Sequence, residues 1–151
     1  MGNQIVVDAL AHAANNDVPT PLSEVVLAAP DVDKGRLLVV VQNVVKGITL
    51  YASAADKALK ASLVKAERPR AGEVFAAGPL VLPGVDSIDA TALGEDMFAL
   101  NHDVHSSARS AIGDISRIIA TSIRPPNVRS TEIRPVPEGS DHPRYWRFPP
   151  Q

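Results

Sequence analysis

Apolar residues in this chain alternate between helically spaced stretches and short uninterrupted runs, and that alternation predicts its elements. Residues 3–15 place Ile5, Ala9, Leu10 and Ala13 on one helical face, and Asn15-Asn16-Asp17 with Pro19 and Pro21 end it. Val25 to Ala29 is a continuous apolar run closed by Pro30-Asp31. Such a run fits a strand covered on both faces, as in a parallel sheet. Residues 34–46 have β-branched content, but Leu37, Val41, Val44 and Val45 keep helical spacing and Gly47 sits where a helix would stop. A helix is predicted there. Ile48 to Ala52 is the next strand, and 55–66 the next helix, with Leu59 and Leu63 inward and Lys57, Lys60 and Lys65 outward.

Arg68 to Gly72 breaks that helix, and 73–84 reads as a loop holding Leu80-Val81-Leu82. Val85 to Ala90 is the third strand, and Ser106 or Ser107 can cap a last helix carrying Ile112, Ile115 and Ile119. Helices alternating with short apolar strands give an α/β fold: three parallel strands with flanking helices over residues 1–121. From about residue 122 the pattern stops. Seven of the 13 prolines lie beyond it, with Arg124, Arg129, Arg134, Arg144 and Arg147, so 122–151 is predicted as an extended Pro/Arg-rich tail. Tyr145-Trp146-Arg147-Phe148 reads as an apolar anchor folding back onto the domain, in preference to a partner-binding motif.

Composition narrows the chemistry. Hydrophobic residues make up 45% and aromatics 4%, so the core rests on Val, Leu, Ile and Ala. A net charge of -2 gives no basic excess for nucleic acid. Without cysteine there is no disulfide, thiolate nucleophile or Cys-ligated metal. No apolar run reaches the roughly 20 residues of a membrane span, and no secretory pattern is present, which leaves cytoplasm as the default location. No phosphate loop, metal-ligand cluster or nucleotide fingerprint occurs, so neither a cofactor nor a metal is expected.

Four blocks carry a family likeness. They are Met1-Gly2-Asn3 with Val7-Asp8-Ala9-Leu10, then Val26 to Asp33, then Thr49 to Ser53 with Asp56-Lys57-Ala58-Leu59, and last Gly84 to Ala90 followed by Asn101-His102, Arg109-Ser110 and Asp114. In this order the chain resembles the C-terminal half of a family of bacterial α/β-hydrolases, esterase/lipase-like and mostly uncharacterised. The family usually has Gly-His-Ser where this chain has Asn101-His102-Asp103.

The resemblance implies a Ser-Asp-His triad in the chain order of that fold, each member at the carboxyl end of a strand. His102 takes the position of the general base, with His105 as its neighbouring competitor. Asp56 is the preferred acid, with Asp31 and Asp33 as alternatives, and Asp89 has a structural hydrogen-bonding role. No Gly-x-Ser-x-Gly occurs in the 151 residues. By the resemblance the nucleophile would directly precede Met1, which takes the oxyanion-hole position, and Gly2 is the elbow glycine. The chain alone is then expected to be inactive on esters. The strand at 24–29 is expected to expose an edge that meets a missing N-terminal half or a second copy. The other reading is a non-catalytic interaction module built on the same fold.

Overall fold

The three predicted strands stand side by side in the computed structural model, which describes residues 2–16, 18–19, 22–43, 47–55, 69–94 and 106–150. The helix expected at 55–66 lies outside the described residues save for Ala55. Helix α1 spans Gly2–Asn15, strand β1 Val25–Ala28, helix α2 Lys34–Asn43 and strand β2 Ile48–Ala52. A two-residue pair, β3 (Val74–Phe75) and β4 (Gly78–Pro79), occupies the segment read as a loop. Strand β5 (Val85–Asp89) leads into a 3-10 turn, Thr91–Leu93. Helix α3 (Ser106–Thr121), helix α4 (Pro126–Arg129) and strands β6 (Arg134–Val136) and β7 (Tyr145–Arg147) follow.

The sheet has five strands in the order β1-β2-β5-β7-β6. Three strands were expected; the proline-rich tail supplies the other two. β1, β2, β5 and β7 run parallel, and β6 pairs antiparallel to β7 at the far edge. Pro135 is tolerated there because an edge strand needs only one side of its backbone paired. β2 is buried at all five positions, Thr49 included, as in a strand covered on both faces.

Two cores result. On one face α1 and α2 pack Val7, Leu10, Leu37 and Val40 against Val25, Leu27, Ile48, Leu50 and Val85. On the other, α3 and the tail bring Ala111, Ile133, Trp146 and Phe148 onto Tyr51 and Ile88. The tail anchor is thus part of the second core.

Two predicted helical stripes are rotated. In α1 the buried positions are Val7, Leu10 and Ala13, while Ile5 is 66% exposed and Ala9 faces outward. Apolar residues at 5, 6 and 7 make the stripe ambiguous, and Asp8 turns toward α2 to meet Arg36 at 2.8 Å. In α3 Ala111, Asp114 and Ile118 are buried, whereas Ile112 and Ile119 are exposed. A buried carboxylate, rather than an isoleucine, sets that helix's orientation.

Candidate active site

The carboxyl ends of β1, β2 and β5 form one rim, and local contacts fix the chain segments that leave it. At β1, the Val25 and Ala29 N–H groups donate to Gly47 and Tyr51 carbonyls at 2.9 Å, both toward β2. The groups of Val26 and Ala28 alternate to the opposite side, where β1 has no neighbouring strand among the described residues. Asn3 Nδ2 reaches that side and donates to Ala28 O at 2.7 Å. The first turn of α1 is thereby pinned beside the carboxyl end of β1. Ala29 follows with φ +41°, a left-handed conformation that a side chain disfavours.

The next segment laces two exits of the rim together. Gly72 donates to Pro30 O at 3.0 Å and accepts from Ser53 N–H at 2.9 Å. A Cβ at Gly72 would lie 2.5 Å from Pro30 N and 2.6 Å from the Ala29 carbonyl carbon, so only glycine allows this approach. Ser53 is buried, and its Oγ accepts from Ala55 N–H at 3.1 Å, forming a turn just before Asp56. Thr91 Oγ1 accepts from Ala54 N–H at 3.0 Å, which ties the exit of β2 to that of β5. Asp89 Oδ1 accepts from Thr91 N–H at 2.9 Å, the hydrogen-bonding role expected of it.

The predicted site residues divide accordingly. His102, His105, Asp56 and Met1 lie outside the described residues. Gly2 opens α1, is exposed, and would meet nothing within 4 Å if it carried a Cβ. Asp31 pairs with Arg70 Nε at 3.2 Å. Asp33 caps α2, its Oδ1 accepting from Gly35 N–H at 2.9 Å and Arg36 N–H at 3.3 Å. Both alternative acids therefore have structural partners at the rim. Among the described residues, no group of three His, Asp or Glu could hold a metal ion, and no helix is long and apolar enough to cross a membrane.

Beneath the rim lies a buried polar chain that the sequence pattern did not reveal. Arg129 holds Asp114 bidentately, Nε to Oδ1 at 2.9 Å and Nη2 to Oδ2 at 3.0 Å, with both side chains fully buried. Tyr51 Oη donates to the same carboxylate. Arg129 Nη1 lies 3.6 Å from Asp86 Oδ2. Arg124 also pairs with Asp86 and bonds Glu24 Oε2 at 2.5 Å. The one signal available was Asp114 itself, a carboxylate in register with Ala111, Ile115 and Ile118 on an apolar face. A charge there must have a partner.

Burial pushes the Tyr51 hydroxyl far above its ordinary value, and the adjacent Asp114 carboxylate raises it further. Burial also raises Asp86, against the opposing pull of Arg124 and Arg129. Arg129 is itself raised: burial disfavours its charge, but the Asp114 carboxylate outweighs that cost. For Tyr51 the consequence has a definite sign. The unfolded tyrosine releases its proton near pH 10 while the folded one keeps it, so its contribution is intact below pH 10 and lost above. Urea unfolding from pH 9 to 11 should fall more steeply for the parent than for Tyr51→Phe, by about 1.4 kcal/mol per pH unit above 10. Parallel slopes would mean that water reaches the hydroxyl.

The model of a family described as "Alpha/beta hydrolase of unknown function (DUF900)" matches residues 1–121. The chain belongs to this family. The match covers α1 through α3, including β1, β2 and β5 with all three rim exits, and it ends before Arg124, Arg129 and the two tail strands. No curated protein and no solved structure matches the chain. Family membership accounts for the predominantly parallel sheet with helices on both faces. The tail strands lie beyond the matched residues.

Proposed function

We propose that these residues form the acid- and base-bearing portion of a serine hydrolase acting on ester bonds. His102 serves as general base and Asp56 orients it, while the attacking serine comes from outside the 151 residues, which contain no Gly-x-Ser-x-Gly. The observation that carries this reading is the Asn3–Ala28 bond, which holds the start of α1 at the rim from which the chain departs toward Asp56 and His102. A serine reaching α1 through a strand-to-helix turn would arrive at that rim. The open side of β1 suits the strand that would deliver it. Asp56 is favoured over Asp31 and Asp33 because the latter two are engaged with Arg70 and with the α2 backbone.

The chain by itself is then inactive, and the test is complementation. A fluorophosphonate probe should not label the 151-residue chain. It should label a longer form in which a strand ending in Gly-x-Ser precedes Met1, and His102→Ala should abolish that labelling. Labelling of the short chain, or of the His102→Ala form of the long one, overturns the assignment. A failure of the long form to react, with a stable partner bound to the short one, would favour the interaction module.

A further inference from the structure

A cleft of about 310 Å³ lies between the 3-10 turn that follows β5 and the end of the tail. Because β7 runs parallel to β5, Leu93 and Phe148 emerge at the same edge of the sheet and form its apolar floor. Both are buried, at 6% and 3% exposure, and Pro149 and Pro150 line the wall. Glu132 and Arg134 border the cleft from the segment entering β6.

Two arginines and two carboxylates surround it: Arg134, Arg147, Glu132 and Asp89. Arg134 stands directly opposite Arg147 in the β6–β7 register, so two guanidiniums share one face of the pair. Like charges so placed repel, and neither arginine has a carboxylate partner among the described residues. Arg134 donates only to Thr131 O, at 2.5 Å, which leaves other N–H groups of its fork unspent. Asp89 lies across from Arg147 on β5, but one of its oxygens is committed to Thr91 N–H. Within the cleft itself Arg134 stands beside Glu132, with the N–H groups of its fork that do not reach Thr131 O facing outward for a ligand.

We infer that this cleft binds a small organic anion with an apolar body, of the aliphatic monocarboxylate class, its chain on Leu93 and Phe148 and its head on Arg134. The match is one of shape and charge: an apolar floor for the body, an under-used guanidinium fork for a carboxylate. The polar side chains that line the cleft, Thr131, Glu132 and Arg134, all lie beyond the family match. It stands on the cleft's own residues and does not require the hydrolase assignment.

Trp146, the lone tryptophan, sits two residues from Phe148 and reports on the site. Titration of the full chain with octanoate, followed by Trp146 emission and calorimetry, should saturate. Octanol should bind about tenfold more weakly, and Arg134→Gln should weaken octanoate by about tenfold. Glu132→Gln should tighten it or leave it unchanged. Both substituted side chains are exposed, so neither variant disturbs the core. Absence of saturable octanoate binding, equal affinity for octanol, or an unaffected Arg134→Gln variant overturns the inference. Weakening by Glu132→Gln equal to that of Arg134→Gln also overturns it, because it would indicate a zwitterionic ligand. A null result here leaves the fluorophosphonate outcome untouched, so the two readings fail separately.

Discussion

Arg129→Met is expected to destabilise the fold by about 3–5 kcal/mol, measured by urea unfolding at pH 7. The reason lies in what remains. Asp114 is fully buried in the middle of α3, and two of its hydrogen bonds come from Arg129. With the guanidinium gone, a carboxylate is left in an apolar face with only the Tyr51 hydroxyl in support. Removing the charges together is the informative contrast. Asp114→Leu with Arg129→Met eliminates both ions but removes the carboxylate to which the Tyr51 hydroxyl donates, at about 1–3 kcal/mol. Adding Tyr51→Phe should recover most of the loss, since apolar replacements of buried ion pairs are often near neutral. Asp86→Asn should cost less than Arg129→Met, because burial already favours the uncharged form of Asp86. A loss below 1 kcal/mol for Arg129→Met would mean that solvent reaches the pair.

Ending the chain after Thr121, where the family match stops, should abolish cooperative unfolding. The lost segment carries β6 and β7, so β5 becomes an edge strand and the backbone of Ile88 and Asp89 loses its ladder. The second core loses Ile133, Trp146 and Phe148, and removal of one such aromatic side chain typically costs about 3–5 kcal/mol. Asp114, Asp86 and Glu24 lose their arginines in the same cut. These losses together rival the whole stability of a typical domain, about 5–15 kcal/mol. Circular dichroism in urea and amide exchange should therefore report a non-cooperative, poorly protected chain. A sharp transition near that of the full chain would show that residues 1–121 suffice.

Which parts of this arrangement were legible follows from how far apart the interacting residues lie. Val25 to Ala29 announced a strand of a parallel sheet by its lack of polar alternation, although Val26 and Ala28 are only half-buried, and Ile48 to Ala52 was legible as the next strand. Asp89 was legible as a structural hydrogen-bonding residue because it bonds a backbone group two residues away. The rotation of α3 was missed: Ile112 and Ile119 look like core residues until Asp114 is known to have a partner. That partner, Arg129, lies in a proline-rich segment with no periodicity of its own. β6 and β7 were hidden for a related reason. Three-residue strands, one containing Pro135, give no alternation to detect, and their assignment comes from pairing with β5 and with each other.

By itself the sequence determined the class of fold, the positions along the chain of its three parallel strands and of the first, second and last helices, and the likeness to an α/β-hydrolase family. These depend on contacts within a strand or helix, where composition and spacing carry the information. Only the tertiary structure decided that the tail completes the sheet and that Arg124 reaches Glu24 across 100 residues. It also decided that Tyr51 shares a carboxylate with Arg129 across the second core. Such pairings are set by how the layers pack, and nothing local to either partner encodes the other.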